Sequence, residues 1–207
     1  CDAERLPFKL GIVRGFDIMP DKAKVTTTEG FPQVVKGTFS VSRQNIKNIT
    51  VFPECKGDFV FFDNNNLESF KNFKPCPGTN TLRHNKLRSF EGCEWPHGHM
   101  NIAGNPITSL KGIHKNVTGM GSFDASGCPI QDSVLGLVMI PVVREGIGGQ
   151  DERVIHLGGD KIQFESAKDV LAMIGRLLMK HVGNGKAGVL DAQEELLDMG
   201  YDEYAKL

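Results

Sequence analysis

FSVSRQNIKNI (39–49), VFFDNNNLESF (60–70), NTLRHNKLRSF (80–90) and MNIAGNPITSL (100–110) superpose without gaps, each fitting L-x-L-x-x-N-x-L-x-x-L with other apolar residues standing for Leu. FDASGCPIQDSV from Phe123 continues the series and a degenerate copy, IMPDKAKVTTTEG from Ile18, precedes it. The template Asn falls at Ala23, Gln44, Asn65, Asn85, Asn105 and Cys128, at steps of 21, 21, 20, 20 and 23. A repeat of this period is the signature of a stacked architecture, here of about six units.

A unit this short cannot bury its own apolar face, so copies stack with short parallel strands about 4.8 Å apart and share one core. The repeat therefore predicts a leucine-rich-repeat solenoid, an α/β-type horseshoe with strands on the concave face and a mostly irregular convex side. Side chains alternate along a strand, which turns Phe39 and Val41, Val60 and Phe62, and Met100 and Ile102 inward in this alignment. Ile46, Leu67, Leu87, Ile107 and Ile130 fill the next inward slot, followed by Ile49, Phe70, Phe90 and Leu110. As the chain leaves each strand it strands backbone N–H and C=O groups inside the stack, where they need partners. An amide side chain supplies both donor and acceptor, so Gln44, Asn65, Asn85 and Asn105 are expected to form a structural ladder that weakens at Cys128. Gly37, Gly57, Gly78, Gly98 and Gly121 recur just before the strands, where the chain returns tightly.

The solenoid is expected over 16–140, after an N-terminal flank at 1–15 and before a C-terminal module at 141–207. That module reads as a Gly-rich connector or small hairpin holding VIHL, then two helices. The first has Val170, Ile174, Leu177, Leu178 and His181 on one side and is opened by Ser166, with Asp169 three positions on. The second, 189–199, turns Leu190, Leu196 and Leu197 inward. Capping the open end of the stack is their expected role, since a solenoid end exposes core side chains and strand edges.

Lys and Arg total 24 against 25 Asp and Glu, a net charge of −1 that offers no long-range attraction to nucleic acid or an anionic membrane. No apolar run reaches the roughly 18–20 residues of a membrane span, and the first ten residues lack the order of a secretory signal. The cysteines, at 1, 55, 76, 93 and 128, are 5 in a core-rich chain, which is not the pattern of a disulfide-stapled secreted domain and favours a reducing cytoplasm.

SFKNFKP (69–75), LRSFEGCEWPHG (87–98), ITSLKGIHKNV (107–117), CPIQDSVLGL (128–137) and LDAQEELLDMGYDEYAKL (190–207) together resemble the short leucine-rich-repeat proteins of tailed bacteriophages. The resemblance runs from Thr26 onward and departs in the first 25 residues and at VREGIGGQDERVIHLGGDKIQ (143–163). It implies a phage gene product in the cytoplasm of an infected bacterium, acting on a host or defence protein, or else a structural, virion-associated component. Fold is inherited through such a likeness more readily than function.

Cys93, His97 and His99, with His84 one unit earlier, make a C-x3-H-x-H run, but the second ligand pair of a structural zinc site is missing and no metal or other cofactor is expected. Cys55 and Cys76 share the pre-Gly slot of Val35 and read as small buried apolar residues. No nucleophile elbow, P-loop, HExxH or dinucleotide fingerprint occurs, so no enzyme and no small-molecule site is expected. The concave sheet remains, as a protein-binding grid made of Arg43, Phe61, Asp63, Asn64, Arg83, His84, Asn101 and Asp124. Phe61, an aromatic beside two guanidinium groups, stands at its centre with the composition of an interface hot spot.

Overall fold

A computed structural model of the chain describes residues 5–6, 9–19, 24–47, 49–63, 66–95, 98–142, 154–159 and 169–207. The chain winds into stacked coils. Strands β2 (Phe16–Ile18), β4 (Phe39–Ser42), β6 (Phe59–Phe62), β7 (Thr79–Thr81), β8 (His99–Asn101), β9 (Ser122–Asp124) and β10 (Val154–His156) pair in parallel, each with the next coil, as one 7-stranded sheet. A shorter parallel ladder, β1 (Ile12–Val13), β3 (Val34–Val35) and β5 (Glu54–Cys55), runs beside it. The sequence repeat does not announce this second ladder. Its signal is a pair such as Val34-Val35, placed just ahead of the main strand and too short to register as a strand alone.

Both sheets extend the solenoid beyond the expected 16–140. At the front, β1 draws part of the flank into the stack. At the back, VIHL does not form a hairpin. It adds in parallel to β9, Ile155 opposite Phe123, as one further coil.

The core is a set of aligned columns. Phe16, Phe39 and Phe59 stack face to face with centroids 5.5 and 4.8 Å apart, and the column continues through Asn80, Met100 and Phe123. Asn80 is fully buried there. Its amide donates to Cys76 O and Gly78 O, both at 3.0 Å, and accepts from Cys76 N at 2.9 Å, so its own turn satisfies it. Ile46, Leu67, Leu87, Ile107 and Ile130 are buried in the next column, as the repeat implies.

One register differs. Phe39 pairs with Phe59, not Val60, so the strand step is 20 residues while the step from Ile46 to Leu67 is 21. The extra residue lies in the stretch 63–66. Placing it before the strand turns the strand over, because a one-residue slip exchanges the two faces. Phe59 and Phe61 therefore point into the core, fully buried, and Val60 and Phe62 point outward.

At the C-terminal end α2 (Val170–His181) packs on β10, and α3 (Gly185–Asp198) packs on α2 and on the 3-10 turn Val134–Leu137. Asp169 is the N-cap of α2: its carboxylate accepts from Ala172 N at 3.1 Å and from Gly159 N, tying the helix to the turn after β10. Ser166 lies outside the described residues. In α3 the inward residues are Val189, Ala192 and Leu196, whereas Leu190 and Leu197 are exposed. The expected inward trio puts two adjacent leucines, Leu196 and Leu197, on one side, yet successive helical residues point about 100° apart.

Candidate functional site

The outer side of the long sheet carries a row in register from Asp17 through Ser40, Val60, Thr81, Asn101 and Asp124 to His156. Its two ends differ chemically from its centre. Toward β9 the side chains bond one another: His99 Nδ1 and Ser122 Oγ are 2.8 Å apart, Asn101 Nδ2 donates to Asp124 Oδ2 at 3.1 Å, and Ser126 Oγ donates to Asp124 Oδ1 at 2.6 Å. At the centre, half-buried Val60 and Phe62 leave an apolar spot. The Arg83 guanidinium lies over the Phe62 ring, 4.8 Å from its centroid, and Arg43 pairs with Asp63 at 3.5 Å.

Phe61, expected at the centre of this grid, is not on it. It is fully buried, edge-on to Phe52 at 5.2 Å, and its carbonyl accepts from Asn85. Phe62 occupies the outward place instead, a residue that the sequence alignment turns inward. Arg83, Asn101 and Asp124 do lie on the outer side. Asn64 lies outside the described residues.

Arg43, Asp63 and His84 are not strand residues. They belong to a column at the turn that follows each strand, with φ of 52°, 56° and 52°, continued by Gly104 at 67° and Gly127 at 70°. This left-handed conformation is cheap for Gly and tolerated by Asp and His. The turn leaves Arg43 exposed and Asp63 half-buried and sets the His84 imidazole on Gly104, where a Cβ would collide with the ring. Replacing His84 by Gly is expected to raise folding stability by roughly 0.5–1 kcal/mol through relief of the left-handed strain. Chemical denaturation checks this, and a loss of stability would show that imidazole packing outweighs the strain.

The turn depends on the amide ladder behind it. Asn105 Nδ2 donates to Leu82 O at 2.9 Å and Ile102 O at 2.7 Å, and its Oδ1 accepts from Leu87 N at 3.0 Å. Asn85 donates to Phe61 O at 2.8 Å and Leu82 O at 2.9 Å. Gln44 donates to Met19 O at 3.4 Å and Ser42 O at 3.1 Å, and accepts from Val25 N at 2.9 Å. Each side chain thus reaches back to the preceding coil. Cys128 keeps the scheme in weaker form: its thiol donates to Ile102 O at 3.3 Å and Ile107 N–H faces its sulfur. Asn65, the ladder position expected in the β6 coil, lies outside the described residues.

Among the described residues no group of three or more His, Cys, Asp or Glu is placed to hold a metal ion. Cys93 is buried and its thiol is pushed up to about 12 by burial, away from the thiolate that zinc requires. His97 lies outside the described residues, and His84 and His99 make the separate contacts given above. No described helix is long and apolar enough to cross a membrane. No family model, curated protein or solved structure matches the chain.

Proposed function

We propose that the chain is a leucine-rich-repeat solenoid that serves as a non-enzymatic protein-binding scaffold. In this reading it is a phage effector that captures a host or defence protein in the bacterial cytoplasm, through the concave side formed by its long sheet. The observation that carries the proposal is the outward pair of Phe62 and Arg83, with Val60 beside it and the Arg43–Asp63 pair at its border. An aromatic under a guanidinium, fixed on a rigid sheet, combines apolar area with directional charge, the composition of residues that dominate protein interfaces. The bonded polar groups toward β9 suit a rim better than a centre, because their hydrogen bonds are already used within the sheet.

The test is capture from infected cells, followed by titration of the recovered partner in purified form. One stoichiometric host protein, bound at least about 30-fold more weakly by Phe62→Ala with Arg83→Ala, supports the proposal; such a loss equals about 2 kcal/mol, the hot-spot threshold. Unchanged affinity removes the sheet as the binding face. Recovery of the chain in purified virus particles without a host partner would favour a structural role instead.

A further inference from the structure

Val35, Cys55 and Cys76 occupy one position on consecutive coils. Val35 pairs with Cys55, and Cys76 lies 21 residues beyond, the step that also separates Phe59 from its partner Asn80. Local bonding repeats with the position. Cys55 Sγ donates to Asp58 O at 3.2 Å, and Cys76 Sγ donates to Thr79 O at 3.5 Å, each three residues along its own coil. The coils approach closely beside these sulfurs: a methyl on Gly57 would stand 2.8 Å from the Gly37 carbonyl, and one on Gly78 2.8 Å from Gly57 O. Parallel neighbours about 4.8 Å apart fall inside the roughly 4.4–6.8 Å Cα separation that a disulfide spans. Cys55, Cys76, Cys93 and Cys128 are nevertheless all free thiols in the structure.

We propose that Cys55 and Cys76 are a dithiol site that closes into a disulfide between consecutive coils on exchange with a small-molecule disulfide. The Cys55 thiolate attacks one sulfur of that molecule, forming a mixed disulfide and releasing a thiolate. Cys76 then loses its proton as its sulfur attacks Cys55, and the second half of the oxidant leaves. The protein gives up two protons and two electrons, which appear as two small thiols. The order of attack follows from the pair itself. When Cys55 ionises, the Cys76 thiol turns its one proton from Thr79 O to the Cys55 sulfur; that hydrogen bond holds Cys55 well below the usual thiol range, while the same bond and burial push Cys76 far above it. Cys93 and Cys128 have no thiol neighbour among the described residues, and burial pushes them up to about 12 and about 11. Cys55 and Cys76 are as buried as these two, so a thiol on the neighbouring coil is what sets the pair apart. The loop closed by the bond holds β6, so it locks the coil that carries Phe62 and Asp63.

The experiment uses the full chain with Cys1→Ser, incubated folded with 2-hydroxyethyl disulfide, blocked with N-ethylmaleimide and mapped by mass spectrometry. A Cys55–Cys76 peptide pair that dithiothreitol reverses is the expected product, with Cys93 and Cys128 alkylated only after unfolding. The oxidised chain should melt roughly 5–10 °C higher than the reduced one, as loop closure of this length implies. Cys55→Val and Cys76→Val, which extend the side chain of Val35 along the same column, should each abolish both effects; Cys55→Ser is the second variant if either fails to fold. A folded chain that stays fully reduced, that stops at a mixed disulfide, that links other cysteines, or whose melting point does not rise overturns the proposal.

Discussion

Phe61→Ala is expected to cost about 3–5 kcal/mol of folding stability, while Phe62→Ala, one residue away, costs under about 1 kcal/mol. Phe61 is fully buried, packs edge-on against Phe52 at 5.2 Å and lies 6.3 Å from Phe59. Its removal leaves a cavity walled by coils that cannot collapse, since their spacing is fixed by the strand ladders on both sides. Phe62 touches solvent and the Arg83 guanidinium, so its loss removes an outward contact and little core. Urea denaturation of the two variants decides the register. Equal losses, or a larger loss at Phe62, would mean that the strand is turned over and that the binding face has been assigned to the wrong residues.

That pair also marks how far the sequence could be read. The stacking, the inward columns and the amide ladder were legible because each depends on spacing that recurs in every coil, and Ile46, Leu87 and Ile107 sit where the period puts them. The face of β6 was not, because FVFF is apolar at all four positions and offers no alternation to choose between registers. Only the neighbouring strands decide it, through the pairing of Phe59 with Phe39 and Asn80. A second signal was present in DNNN, where three consecutive Asn leave the ladder position ambiguous by one. The turn column is hidden for a different reason. Arg43 and His84 do not carry the residue type that a left-handed turn favours most, and Gly104 and Gly127 reveal the pattern only once the coils are superposed.

The ladder yields the second large effect. Asn105→Leu keeps the forked outline of the side chain, at a larger volume, but strips Leu87 N, Leu82 O and Ile102 O of their partner in a site that is 1% exposed. Each orphaned buried group costs about 1–3 kcal/mol, and partial relaxation of the turn brings the expected total to about 3–5 kcal/mol. Asn105→Cys should lose roughly half as much, because a thiol in the equivalent slot at Cys128 still donates to Ile102 O and meets the Ile107 N–H. If denaturation shows Asn105→Leu within about 1 kcal/mol of the parent, the backbone groups have found other partners and the ladder is an ornament of the repeat. If the expected order holds, the turn that carries Arg43, Asp63 and His84 is held in place from behind by side chains no partner would ever touch.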